Sequence, residues 1–155
     1  MLEETEREYQ HGPLAPYLRI LAVYGGAVAA TAAIAALTRR RPPDRLGLLD
    51  LAVMGVCTHK ISRLIAKDPV TSPLRAPFTR FKGVSGPAEL KEEPRNPVGE
   101  LLACPFCLAQ WTATGYAAGL IFAPRFTRLV GSTMTAVAMS DWLQLAYAKL
   151  MKEAS

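Results

Sequence analysis

Apolar residues in this chain come in blocks, and the charges fall in the gaps between them. Tyr17 to Thr38 runs with one charge, Arg19, near its start. A helix crosses the hydrocarbon core with about 20 residues at 1.5 Å each, so this block has the length of a span. Its apolar character goes all the way round, which argues against an amphipathic surface helix. Gly25, Ala29 and Ala33 fall four apart, as do Ala22, Gly26 and Ala30. Small residues at that spacing let helix backbones approach closely in a bilayer. Arg39-Arg40-Arg41-Pro42-Pro43 then ends the block with three cations and two helix breakers.

Three later blocks, 46–66, 100–123 and 128–148, repeat the pattern less cleanly. The second carries Asp50 and a polar face of Thr58, His59, Ser62 and Arg63, with Lys60 pointing elsewhere. Such groups are costly near a bilayer midplane, so they reach the interface or pack against other helices. In the third, helical spacing lines up Glu100, Cys104, Cys107, Trp111 and Gly115, and Gly115 with Gly119 makes a Gly-x-x-x-Gly pair. Pro105 suits the first turn of that helix. The fourth contains Asp141 beside Trp142, and an acid inside an apolar segment calls for a partner, Arg63 or Lys60.

The long gap at 67–99 breaks the helical rhythm. Pro69, Pro73 and Pro77 exclude a regular helix through Val70–Phe78, and 85–97 reads as a charged flexible loop. The expected architecture is all-α: a polytopic membrane protein of about four transmembrane helices with one long proline-rich loop. It has a polar lead-in at 1–15 and a single helical membrane domain at 16–150. Placing the loop in the cytoplasm gathers most lysines and arginines on the inner side, with both termini there too.

Charge and composition sharpen this picture. The 155 residues carry a formal net charge of +5, and half are hydrophobic. The cations sit beside apolar blocks, a juxtamembrane pattern suited to anionic lipid, so the expected partner is the bilayer and not nucleic acid. A homo-oligomer or a partner membrane protein would meet the chain through its small-residue helix faces. Three cysteines exclude a secreted multi-disulfide scaffold. The acidic start (Glu3, Glu4, Glu6, Glu8) is unlike a signal peptide, and His11 falls in the same polar lead-in.

The densest chemistry lies in Cys104-Pro105-Phe106-Cys107. Three readings compete. A Cys-x-x-Cys at a helix start favours a thiolate and suits thiol–disulfide exchange, although no βαβ pattern accompanies it. Zinc or iron would need more ligands, and only Cys57 and His59 offer themselves. Two apart, those residues point about 160° from one another on an unbroken helix. The third reading is structural: the cysteines, Trp111 and Gly115 pack against the polar face of the second helix, and the protein is an interaction component and not an enzyme. The sequence by itself demands no cofactor. No Ser-His-Asp set, phosphate-binding glycine loop or carboxylate pair points to a hydrolase or nucleotide enzyme.

His59-Lys60-Ile61-Ser62-Arg63-Leu64-Ile65, Asp68, Leu74-Arg75-Ala76-Pro77-Phe78, Gly99-Glu100-Leu101-Leu102, Cys104-Pro105-Phe106-Cys107 and Trp111 together resemble one bacterial family. That family is domain of unknown function 1360, which includes sporulation-associated membrane proteins. The resemblance covers roughly residues 48–145. It implies a small multi-pass protein of the bacterial cell membrane and carries no mechanism with it. Lys60, Ser62, Arg63, Asp68, Arg75, Glu100, Trp111 and Asp141 are expected to form a structural polar cluster.

Overall fold

A computed structural model describes residues 14–86 and 89–154. The acidic lead-in and His11 lie outside the described residues. The architecture is mainly helical, as the blocks predict. Helix α1 (Leu14–Leu37) is followed by α2 (Leu48–Lys67), a single turn α3 (Ser72–Arg75) and strands β1 (Thr79–Val84) and β2 (Leu90–Pro94). Helices α4 (Pro97–Ala103), α5 (Pro105–Phe122) and α6 (Pro124–Ala154) complete the chain.

Helix α2 packs against both α5 and α6 and forms the middle of the structure. Its Cys57 is fully buried with Tyr116 and Leu120 of α5, and Met54, Ile61 and Met134 close around them. The other contact surface is built from small residues. A Cβ on Gly131 would lie 2.3 Å from the Tyr116 hydroxyl, and one on Gly119 would lie 2.5 Å from Thr127 Oγ1. The Gly115–Gly119 pair is therefore split. Gly119 seats α6 within the same chain, while Gly115 has open space beside it.

Four crossings are not supported. Among the described residues one helix, α1, is long and apolar enough to cross a bilayer, at 24 residues. Helix α2 matches the second block in place, but Asp50, Lys60, Arg63 and Lys67 interrupt its apolar run. The third block divides at Cys104, whose backbone is extended (φ −104°, ψ 106°). Pro105 has no N–H to donate and clashes with the carbonyl four residues earlier, and the residue before proline avoids the helical region. Glu100 consequently belongs to α4, and the expected stripe from Glu100 to Gly115 does not exist as one face. Helix α6 extends well beyond 128–148 and holds Arg125, Arg128, Asp141 and Lys149.

The segment expected to be an irregular loop contains an antiparallel hairpin. Thr79 pairs with Pro94, Phe81 with Glu92 and Val84 with Leu90, with a bulge between Phe81 and Gly83. Gly83 adopts φ +145°, a region that favours glycine. The first strand has the β-branched and aromatic residues strands prefer. The second, Leu90-Lys91-Glu92-Glu93-Pro94, has one large apolar residue, and charge holds it instead: Lys82 Nζ lies 2.7 Å from Glu93.

Arg75 fastens this hairpin to α2. Its side chain is 0% exposed and that of its partner Glu92 is 6% exposed. Nε donates to Glu92 Oε2 (2.7 Å) and Nη2 to Oε1 (3.1 Å). Nη1 donates to the Ile65 carbonyl and to Thr71 Oγ1, and Nη2 also to the Asp68 carbonyl. Five bonds match the five N–H groups of a guanidinium. Two of those bonds reach the Ile65 and Asp68 carbonyls at the end of α2, where backbone acceptors lack helical partners.

Candidate functional site

The cysteine pair sits where α4 hands over to α5. Asn96 caps α4 by accepting from the Gly99 N–H at 2.9 Å, and Pro97 occupies its first turn. Gly99 is required here, because a Cβ would come within 2.2 Å of the Phe78 carbonyl oxygen. That contact sets the end of α4 against the start of the hairpin and fixes where Cys104 falls. Cys104 then caps α5, its Sγ accepting from the Cys107 N–H at 3.2 Å.

The two thiols are free and unequal. The Cys107 Sγ–H donates to Cys104 Sγ at 2.7 Å. Burial works against a Cys104 thiolate. Donation from the Cys107 thiol, from the Cys107 and Phe106 amides, and the charge of Lys67 outweigh it and hold Cys104 below the ordinary thiol range. Cys107 is pushed up to about 11, first by burial and then by its bond to Cys104 and the Cys104 charge, with Glu100 adding to the shift. A low-pKa thiol beside a high-pKa one is the arrangement in which one sulfur attacks and the other resolves.

The surroundings differ from expectation. Cys107 is exposed and Phe106 is 88% exposed, so Cys107 is not held in a packing seam, while Cys104 is half-buried. Trp111 meets Tyr24 of α1 edge-on, with ring centroids 5.1 Å apart. The Tyr24 hydroxyl also bonds Thr114 and Gln110, each at 2.7 Å, and Tyr17 donates to Glu100 at 2.7 Å. The long apolar helix thus touches the rest of the protein on both sides of the cysteine pair. Cys57 belongs to the interior cluster, where burial raises its thiol pKa. Among the described residues no three His, Cys, Asp or Glu side chains come together as a metal site, so neither Cys57 nor His59 joins the pair in a ligand set.

The expected polar cluster separates into three places. Lys60 Nζ lies 2.5 Å from Asp141, and the rings of His59 and Trp142 are 6.5 Å apart. Arg63 pairs with Glu89 of the hairpin. These groups, with Lys67 and Asp68, border a groove of about 750 Å³ between α2, α6 and the hairpin end. Arg75 forms the buried knot with Glu92, and Ser62 is buried, donating to the His59 carbonyl. Glu100 and Trp111 face α1. On the other side of α2, Gly55, Thr58, His59, Ser62 and Arg63 border a second cavity of about 210 Å³, closed by Pro105, Phe106 and Ala109 of α5.

Sequence reasoning missed Glu92, Glu89, Lys67 and the two tyrosines. Tyr17 and Tyr24 are seven apart on the otherwise apolar α1, and that spacing on one helix face was a usable signal. Glu92 gave none, since its partner lies 17 residues away through a hairpin the pattern hid.

Fold and site together define a small, mainly helical protein with one helix of membrane-spanning length and a free Cys-x-x-Cys at the head of another. Comparison of sequences gives this class a family. The chain belongs to the family described as "Protein of unknown function (DUF1360)", which matches residues 53–147. The match includes the cysteine pair, Arg75, Glu92 and Asp141, and begins after α1. A relative is the UPF0713 protein YngL of Bacillus subtilis (strain 168), 29% identical over 85 residues, which are 53% of this chain and 65% of that relative. The chain therefore spans less than two thirds of that relative's length. No solved structure matches.

Proposed function

We propose that this is a membrane-anchored protein of the bacterial cell membrane whose working site is the Cys104–Cys107 pair, acting in thiol–disulfide exchange. The observation that carries the reading is the asymmetry of the two thiols at an accessible helix start, with sulfurs 2.7 Å apart. The two sulfurs face one another across the first turn of α5, the placement that a disulfide between them requires. Packing, the main competing account of the pair, draws on Trp111 and the half-buried Cys104 but not on Cys107, which faces outward, or Gly115, which has nothing beside it.

In the first step the Cys104 thiolate attacks one sulfur of a partner disulfide, forming a mixed disulfide and releasing the partner's first thiolate. Cys107 then gives up its proton and attacks Cys104 Sγ, which closes the intramolecular bond and releases the second thiolate. One dithiol is oxidised and one disulfide reduced, and the reverse sequence runs equally well. Helix α1 supplies the anchor: it is 24 residues long, about 36 Å at 1.5 Å per residue, and Arg39-Arg40-Arg41 lies at its end.

Thiol trapping of the full-length protein in membranes equilibrated with graded dithiothreitol buffers tests this. Cys104 and Cys107 should oxidise and reduce together. Cys104→Ala should abolish exchange, and Cys107→Ala should leave a stable mixed disulfide on Cys104. A pair that stays reduced in buffers where an unconstrained dithiol closes overturns the reading.

A second reading, an interaction component assembled through α1, has its own support. A methyl group placed on Gly25 or Gly26 would meet no atom within 4 Å, so the small-residue faces are open to a partner helix. Gly25→Leu with Gly26→Leu should then weaken self-association of the protein in cross-linking from membranes. An unchanged cross-linking pattern removes this reading.

A further inference from the structure

We propose that the 210 Å³ cavity beside the cysteine pair is the recognition site for the exchanging partner, a short peptidyl disulfide bearing carboxylate. The inference rests on the thiol–disulfide reading and adds the class of substrate.

Thr58 is the first observation. Its Oγ1 is buried without a hydrogen-bond partner, the one such side-chain atom among the described residues. Five other threonines bond back onto the preceding turn. Thr31, Thr38, Thr114, Thr127 and Thr133 each donate to the carbonyl four residues earlier. Thr58 makes no such bond, and it borders the cavity. A buried polar group left unsatisfied costs about 1–3 kcal/mol, and an amide seated in the cavity recovers it once the wall over Oγ1 shifts to admit the bond.

Charge is the second. His59 and Arg63 border the same cavity, and Arg63 engages Glu89 through Nη2, leaving other N–H groups of its guanidinium to bind a carboxylate. The Lys67 charge also reaches Cys104. The third is position. Pro105 and Phe106, the residues between the two cysteines, form one wall, so a ligand seated there lies beside the Cys104–Cys107 segment. Size is the fourth. Pockets for drug-sized molecules run about 300–1,000 Å³, and this one, at 210 Å³, admits a short segment only.

The test uses full-length protein in detergent micelles on a Cys107→Ala background, so that mixed disulfides on Cys104 persist. Two probes share disulfide chemistry and differ in charge: glutathione disulfide, peptidyl and anionic, and cystamine, which is cationic and lacks amides. Rates of adduct formation are read by mass spectrometry, relative to free cysteine with the same probes. Glutathione disulfide should be favoured over cystamine by about tenfold, the scale of one charge-assisted hydrogen bond. Arg63→Gln should erase most of that preference. Glu89→Gln, which frees Arg63, should raise it. Thr58→Val should slow glutathione disulfide about fivefold, and Thr58→Ser should restore the rate. Cooperative thermal unfolding of each variant, and an unchanged pH profile of Cys104 alkylation, exclude misfolding and a shifted thiol as causes. If both probes react but the preference is absent, or ignores Arg63, Glu89 and Thr58, the substrate inference is overturned and the redox reading stands. If the native protein, with both cysteines present, reacts with neither probe faster than free cysteine, the redox reading falls and the inference with it.

Discussion

The Arg75 knot and the Cys104–Cys107 pair lie on either side of the Gly99 contact and use polar atoms in opposite ways. At Arg75 all five guanidinium donors are engaged inside a site 0% exposed, and the carboxylate opposite is held at both oxygens. At the cysteine pair one thiol is outward-facing, the sulfurs are reduced, and their proton affinities are driven apart. A fully satisfied network fixes geometry and has no capacity to react. A partly satisfied, accessible one can change partners. The difference teaches that the hairpin is scaffolding and the α4–α5 corner is where chemistry can occur.

The largest effect should come from breaking the knot. Arg75→Met leaves Glu92 buried without its cation and should cost about 3–5 kcal/mol, as removal of one member of a buried pair does. The expected signs are an early thermal transition in micelles and loss of hydrogen-exchange protection across β1 and β2. Arg75→Met with Glu92→Leu should recover much of the loss, because no charge is then stranded. If the single variant costs under about 1 kcal/mol, the range of an exposed pair, the knot is not the fastener described. Next in size is Gly99→Ala. The methyl group meets the Phe78 backbone oxygen, which cannot swing away, so overpacking of about 1–3 kcal/mol is expected. It should also move Cys104, altering its alkylation rate, and so it tests whether scaffold and site are coupled through this contact.

These two predictions concern features that the sequence revealed unequally. Four helical blocks were visible because apolar runs bounded by prolines and charges are local signals. The hairpin was hidden because β2 has one large apolar residue and depends on Arg75, Lys82 and Thr79, which reach it across the turn. Apolar content also overstated the number of helices apolar enough to cross, since Gln110, Thr112 and Thr114 dilute α5 and Asp50, Lys60 and Arg63 interrupt α2. The cysteine pair could be located from its spacing alone. Its inequality could not, because it arises from Cys104 acting as the cap, a role created by the break before Pro105. Helical spacing set Thr58 and Arg63 on one polar face, but the cavity they share with Pro105 and Phe106 arises from tertiary packing, which no local pattern encodes.

Proton affinity gives the third prediction. Cys104 is held below the ordinary thiol value, so its thiolate persists to lower pH than that of a free cysteine, and its alkylation should too. Cys107→Ala removes the donating thiol but keeps the amide. The Cys104 pKa should therefore rise, and its reaction with iodoacetamide at neutral pH should slow, by about tenfold for each unit of rise. In the reverse variant, Cys104→Ala, the bond and charge that raise Cys107 disappear, and Cys107 should fall from about 11. Equal alkylation profiles for the two thiols in the native protein would remove the asymmetry on which the proposed chemistry depends.

The smallest effect should be at Lys60–Asp141, and the reason separates it from Arg75–Glu92 although both are ion pairs. The Lys60 and Asp141 side chains are 20% and 45% exposed, against 0% and 6% in the knot. Water screens the attraction, and either partner left alone can be solvated, so no charge is stranded. Asp141→Asn should cost about 0–1 kcal/mol and less at high salt. Thermal unfolding at low and high sodium chloride measures both. A loss near that of Arg75→Met would mean that the groove between α2 and α6 is closed to water. Asp141 would then belong to the same class of buried structural charge as Glu92, and the contrast between fixed and accessible polar groups would have to be redrawn there.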